Sequence, residues 1–340
     1  MPGAETHSGL LKKSASKGAI RIAAFFLSVT LLAFALNSFI TAGLRRVTTS
    51  KFGAFNDVMA GRADAEIIIS GSSRALDHYD PRVIKRITGC PTFGLGMNGS
   101  KIDVELAVLK THLKHNATPK VVIQNLDLSS LELTREGEIL DPVLFVPYLY
   151  ENELYEPLRA IDPVVWKWKH IPLYGYAVAD MRFTWIWGVL SWLGVNVRQD
   201  YHLGFTPQHQ GWTGDFDRFK ASHPNGVSSS IEPEGVRDLE EMIRTCREKG
   251  IRLVLAYSPE YIEMQALETN RREIMNTFRE ISERLNVPFW DYSDSSICRD
   301  RANFYNSQHL NAEGAEAFST GLAHRLIDSG LLQAPPRANQ

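Results

Sequence analysis

Residues Ala65–Asp77 read AEIIISGSSRALD, and this stretch decides the fold. Ile67–Ile69 is a β-branched apolar run of the kind that fills the middle of a parallel sheet. Gly71 permits a tight turn, and Ser72 or Ser73 can cap the helix expected after it. A serine there stands at the carboxyl edge of a first strand, where open α/β sheets hold their ligands. Near the other end, Phe304–Phe318 reads FYNSQHLNAEGAEAF. The expectation is that folding brings Ser73 and His309 together.

Outward from that strand the pattern alternates. Helical sequence is expected over Leu76–Gly89, with Asp80-Pro81 as a start signal, and over Ile102–His115. Strands are expected at Pro91–Leu95 and Val121–Leu126. This order of strand, helix, strand, helix, strand argues a parallel sheet with right-handed crossovers. The pattern breaks over about 131–230, a long insertion carrying six of the seven tryptophans. Val178–Leu193 reads as helical, and Gly204–Phe219 as a surface loop. The aromatics suit a small core of the insertion's own, a sugar-stacking groove, or a patch on a membrane surface. The alternation resumes with helix Val236–Lys249, strand Ile251–Tyr257, helix Ile262–Leu285, strand Val287–Asp291 and helix Asn311–Leu332. Residues 333–340 read as a tail.

Ile22–Leu44 contains no charged residue and is about long enough to cross a bilayer core. Lys12, Lys13, Lys17 and Arg21 precede it, and Arg45, Arg46 and Lys51 follow. The bias is slight and favours the amino end in the cytoplasm. Ala33-Phe34-Ala35 resembles a signal-processing site, but the apolar run continues well past it. The preferred reading is an uncleaved single-pass anchor. Residues 1–21 would be a cytoplasmic tail, unstructured up to about residue 18, and 45–64 a connector. The α/β body, 65–332, would lie outside the cytoplasmic membrane.

With 37 Lys+Arg against 39 Asp+Glu, the formal net charge is −2, which gives no reason to expect a nucleic-acid partner. The ten histidines show no ligand spacing, and neither HExxH nor CxxC occurs, so no metal is expected. Cys90, Cys246 and Cys298 are an odd set. Three free thiols is the preferred reading, with a Cys90–Cys298 pair as the alternative.

A serine attacks an acyl carbon when a base takes its proton and donors hold the oxyanion. Ser73 has the setting of such a nucleophile, with Ser72 as its rival and natural cap. His309, before the last helix, is a reasonable base. Gly71-Ser72-Ser73 together with Asn306-Ser307-Gln308-His309-Leu310-Asn311 and Gly314 resembles the SGNH (GDSL-like) hydrolases. The closer resemblance is to their membrane-anchored cell-envelope branch, which includes alginate O-acetyltransferase-like and D-alanyl transfer proteins. It covers about 65–130 and 233–328.

The resemblance implies a flavodoxin-like three-layer sandwich around a five-stranded parallel sheet in the order 2-1-3-4-5. It implies Ser73 as nucleophile, His309 as base, and no cofactor. Gly96 would supply an oxyanion N–H, Asn125 is a weak third-block match, and Arg74 would serve near the site. The family's aspartate three residues before the histidine is here Asn306, which can accept from Nδ1–H but carries no charge. Asp294, Asp300 and Glu313 are the carboxylates near enough in sequence to substitute. The implied function is an anchored esterase or O-acyltransferase on an envelope or secreted polysaccharide, drawing on an acyl donor or a membrane-bound acyl-transfer partner. The alternative is a weakened or inactive member of the fold that binds polysaccharide or an assembly partner. A flavin or nucleotide binder shares the sheet order but not the histidine motif.

Overall fold

A computed structural model describes residues 5–177, 184–196 and 199–333. Five parallel strands form one sheet in the order β2-β1-β3-β4-β5: β1 Ile67–Ser70, β2 Thr92–Gly94, β3 Val121–Asn125, β4 Arg252–Tyr257 and β5 Phe289–Asp291. The register sets Ile67 against both Thr92 and Val121, Val121 against Arg252, and Leu255 against Phe289. The helices in chain order begin with α1 Glu5–Leu44, α2 Ser50–Met59, α3 Ser73–His78, α4 Pro81–Thr88 and α5 Ile102–His115. The insertion contributes α6 Asn152–Ile161, α7 Val164–His170, α8 Thr184–Leu190 and α9 Asp215–Ser222. The rest are α10 Pro233–Glu248, α11 Ile262–Leu267, α12 Arg271–Leu285 and α13 Ala312–Asp328.

Alternation along each strand builds the two cores. Ile67, Ile69, Val121, Ile123 and Val254 pack with Ile84 of α4 and Phe318 and Leu322 of α13. Ile68, Val122, Leu253 and Leu255 face the other way, onto α5, α10 and α12. Each fully buried isoleucine is worth roughly 1.5–3 kcal/mol of apolar burial. Both faces of β1 are covered, which is why its sequence is apolar without a break.

Several expectations change. The amino-terminal segment is helical from Glu5 rather than unstructured up to residue 18. The helix expected to start at Asp80-Pro81 does so, with Asp80 capping α4 through Arg82 N–H and Pro81 in its first turn, but the turn expected before it is the short helix α3. Ile262–Leu285 is interrupted at Glu268–Asn270, where Thr269 N–H reaches back to the Val227 carbonyl at 2.8 Å. The second half of the insertion is not a free loop. Leu203 and Thr206 bond to Gly94 and Leu76, Gln208 to Ala312, and Thr213 to Tyr305, so 203–213 straps the site end of the sheet. Of the helix expected over 178–193, residues 178–183 lie outside the described residues; Thr184–Leu190 is helical and Ser191–Leu193 continues as one 3₁₀ turn. The tail from 334 also lies outside them. All three cysteines are free, so the Cys90–Cys298 pair does not form.

Candidate active site

The chain leaves β1 through Gly71, whose φ of +143° and close neighbours, Ala75 and Asn125, leave no room for a side chain. Ser72 then caps α3: its hydroxyl accepts from Arg74 N–H at 3.4 Å and donates to an Asp127 carboxylate oxygen. That spends the rival serine. Ser73, the first residue of α3, is half-buried, and as first residue its N–H has no carbonyl partner within the helix.

His309 arrives from the far side of the sheet, in the loop between β5 and α13, and its Nε2 lies 2.7 Å from Ser73 Oγ. The other ring nitrogen, Nδ1, is 3.0 Å from Asn306 Oδ1. That same oxygen accepts the backbone N–H of Gln308 and of His309, each at 3.0 Å. Two backbone donors fix which end of the amide faces the ring. Nδ1 therefore carries the proton and Nε2 is the acceptor for the serine O–H. Burial pushes the imidazole down to about 4, the Asp127 charge partly opposing it. At neutral pH the ring is an uncharged base.

The ring is also held on its faces. Tyr305 stacks on it at 5.4 Å, with its hydroxyl 3.0 Å from Asp77, a carboxyl that burial raises to about 6. His78 meets it edge-on at 6.1 Å. His78 Nε2 accepts Leu310 N–H at 3.1 Å, so its Nδ1–H donates to Ser258 Oγ at 2.9 Å. Burial holds His78 neutral. The Ser258 carbonyl accepts from Arg74, whose Nη1 also lies 3.1 Å from Asp127. One buried chain of contacts thus ties the histidine loop to the serine turn.

The cavity over Ser73 has a volume of about 200 Å³ and is lined by polar groups, among them Arg74, Asp127, Ser129, Glu260 and Gln308. Two larger concavities, both away from Ser73, lack a nucleophile–base pair among the described residues. One is an acidic trough along α5 and α10; the other lies between the insertion and α2.

The structure places the other expected site residues as follows. Gly96 does not line this cavity: a Cβ there would sit 2.4 Å from Leu76 N, so the glycine serves packing against α3. Gly99, three residues on, does line it, and its N–H has no hydrogen-bond partner among the described residues. Asn125 is fully buried behind the site, accepting from Tyr79 O–H at 2.8 Å and donating to Asp127 at 3.1 Å. None of the suggested carboxylates reaches the ring: Asp300 caps the turn at Ala302, and Asp294 and Glu313 are exposed. Arg74 lines the cavity floor, but its terminal nitrogens are taken by Asp127 and Ser258. Sequence reading missed Asp127, Tyr305 and Asp77. Asp127 lies two positions beyond the expected asparagine, and Asp77 one helical turn from Ser73.

No protein-family model and no curated protein matches the chain. Among solved structures, it is similar to an acetyl xylan esterase, at 13% identity and a TM-score of 0.38, over 77% of this chain and 98% of that one. It is also similar to a GDSL-like lipase from Bacteroides thetaiotaomicron, at 10% identity and a TM-score of 0.33, over 76% of this chain and 87% of that one.

Proposed function

We propose that the chain is a membrane-anchored serine esterase or O-acyltransferase that works through an acyl-enzyme on Ser73. The observation that carries this reading is the Ser73 hydroxyl at 2.7 Å from a histidine nitrogen that the ring's other contacts leave as an acceptor. In the reaction, Ser73 Oγ attacks an ester carbonyl while Nε2 takes its proton. The Ser73 and Gly99 N–H groups hold the oxyanion. His309 returns the proton to the leaving alcohol, and water or an acceptor hydroxyl reverses the steps. A cavity of about 200 Å³ suits a short acyl group such as acetyl and leaves no room for a long chain. The carrier alcohol would be a polysaccharide hydroxyl at the cell envelope, with the acyl group supplied by a soluble donor or a membrane-bound transfer partner. One helix, Lys17–Leu44, is long and apolar enough to serve as the anchor, and the slight excess of Lys and Arg before it supports an α/β body on the extracytoplasmic side.

The test is covalent. A fluorophosphonate incubated with the full chain in detergent should add its mass to the peptide containing Ser73, and not in His309→Ala. A chain that takes no label would leave the second reading, a polysaccharide-binding member of the fold, which Asn306 in place of an acid favours.

Asn306 also sets a pH prediction. A neutral His309 is the working form, so activity is lost as pH falls through about 4. In Asn306→Asp a carboxylate would stand about 3 Å from Nδ1, where it favours the imidazolium. The acid limb of kcat/KM should move upward by about 1–3 pH units. The rate above that limb should rise about 10- to 100-fold, as the cation formed in the transition state gains a counter-charge. An unmoved acid limb in that variant would show that His309 is not the titrating base.

A further inference from the structure

The insertion grips the end of α1. Gly188 of α8 packs on Gly43: a Cβ on Gly43 would lie 1.8 Å from the Gly188 carbonyl oxygen, so only glycine allows this approach. Ser191 Oγ donates to the Gly43 carbonyl at 2.7 Å. The Trp192 ring stacks on Phe39 at 5.2 Å, and its Nε1–H donates to the Phe39 carbonyl at 3.2 Å. Gly188 of α8 and Ser191 and Trp192 of the turn after it thus all meet the last two turns of α1. The turn Trp192–Val195 lies beside the carboxyl end of α1, between the Phe39 carbonyl that Trp192 bonds and Thr48, whose N–H donates to Asn196 Oδ1 at 3.3 Å.

Length then fixes the depth. From Ile22, just past Arg21, to Phe39 α1 is uncharged and largely uncovered, and this run spans roughly 27 Å. A hydrocarbon core is roughly 30 Å thick, so the whole of the run is needed to cross it. That puts Phe39, and the Trp192 ring stacked on it, at the far boundary. The chemistry of the tip agrees. Thr184–Asn196 contains no charged residue, Trp185 and Trp192 are each 41% exposed, and Leu193 is 76% exposed. Arg46 lies over the outer side of the Trp192 ring at 4.7 Å, where a phosphate headgroup would meet it. The run is too short to span a membrane and of a length that suits a re-entrant finger.

We infer that α8 and the turn after it form such a finger, its tip seated in the outer part of the bilayer that α1 crosses. This rests on α1 being a membrane span. The occupant of the exposed tryptophan–leucine face is therefore lipid, and the α/β body is held at the membrane by two elements, not swung on one helix.

Spin labels on the full chain, with Cys90→Ser and reconstituted in phosphatidylcholine–phosphatidylglycerol vesicles, test both points. Labels are placed at Leu193→Cys, at Leu31→Cys within α1, and at Lys249→Cys on the distant surface. Collision with oxygen and with a water-soluble nickel chelate is then measured. The Leu193 label should resemble the Leu31 label, with oxygen favoured at least several-fold more than at position 249. A Leu193 label as open to nickel as position 249 overturns the finger while α1 stands. A Leu193 label shielded from both agents shows protein on that face, a second copy or a partner helix, and also overturns it. A water-exposed Leu31 label removes the membrane span and the finger together.

Discussion

Replacement of Ser73 by alanine should lower kcat/KM for p-nitrophenyl acetate about 10²- to 10⁴-fold, and replacement of His309 by alanine should cost the same. In the proposed mechanism the two groups act as one device: the hydroxyl would be a nucleophile only while Nε2, 2.7 Å away, takes its proton. The double variant should therefore be no slower than either single one. The range lies below the roughly 10⁶-fold loss seen where a charged acid completes the set, because Asn306 orients the ring without a counter-charge. Ser72→Ala is the discriminating control. Ser72 caps α3 and bonds Asp127, so its loss costs about 1 kcal/mol of stability and leaves most of the activity. Wild-type rates in Ser73→Ala, or a Ser72→Ala variant as dead as Ser73→Ala, would remove Ser73 from the chemistry.

The parts of this molecule that local sequence dictates were readable in advance. The run Ile67–Ile69 with Gly71 behind it reads as a buried strand and turn, because both faces of the strand and the unusual φ of the glycine each demand one residue type. All five strands and their order follow from the same alternation and the family likeness. The meeting of Ser73 with His309 is a consequence of topology: each follows a strand, at the same edge of one parallel sheet. What stayed hidden depends on angles no pattern encodes. Gly96 is the oxyanion donor that the family likeness picks, but the turn after β2 presses it against Leu76 and leaves Gly99 at the cavity. Asn125 ends β3 and Asp127 lies two positions on, and the first turns into the core while the second turns to the site. The strap at 203–213, LGFTPQHQGWT, has no helical or strand period and so reads as loop; its pairing is to backbone, which leaves no trace in side-chain pattern.

Arg74→Ala is the variant expected to harm the fold most. Its guanidinium is nearly sealed from solvent, with Asp127 at 3.1 Å, the Ser258 carbonyl on the other nitrogen and the Tyr257 ring beneath it at 4.5 Å. Glu260, also buried, faces the same charge and bonds Tyr257 O–H at 2.6 Å. Truncation leaves a cavity and two acidic groups without their cation, for which about 3–5 kcal/mol is the expected loss. At roughly 2–4 °C per kcal/mol for a domain of this size, the melting midpoint should fall by about 6–20 °C. The sign with pH separates charge from packing. Burial already raises the Glu260 carboxyl above its ordinary value, and Arg74 opposes that rise. Without Arg74 the folded state binds this proton more readily than the unfolded chain does. The deficit should therefore shrink as pH falls from 7 towards 5 and grow again as pH rises. Arg74→Met refills the cavity without restoring charge, so it should recover part of the midpoint and keep the pH dependence. Melting of the full chain in detergent, followed by tryptophan fluorescence at both pH values, checks this. Equal midpoints for wild type and Arg74→Ala, or a deficit independent of pH, would show that this buried cation does not hold the serine turn to the histidine loop.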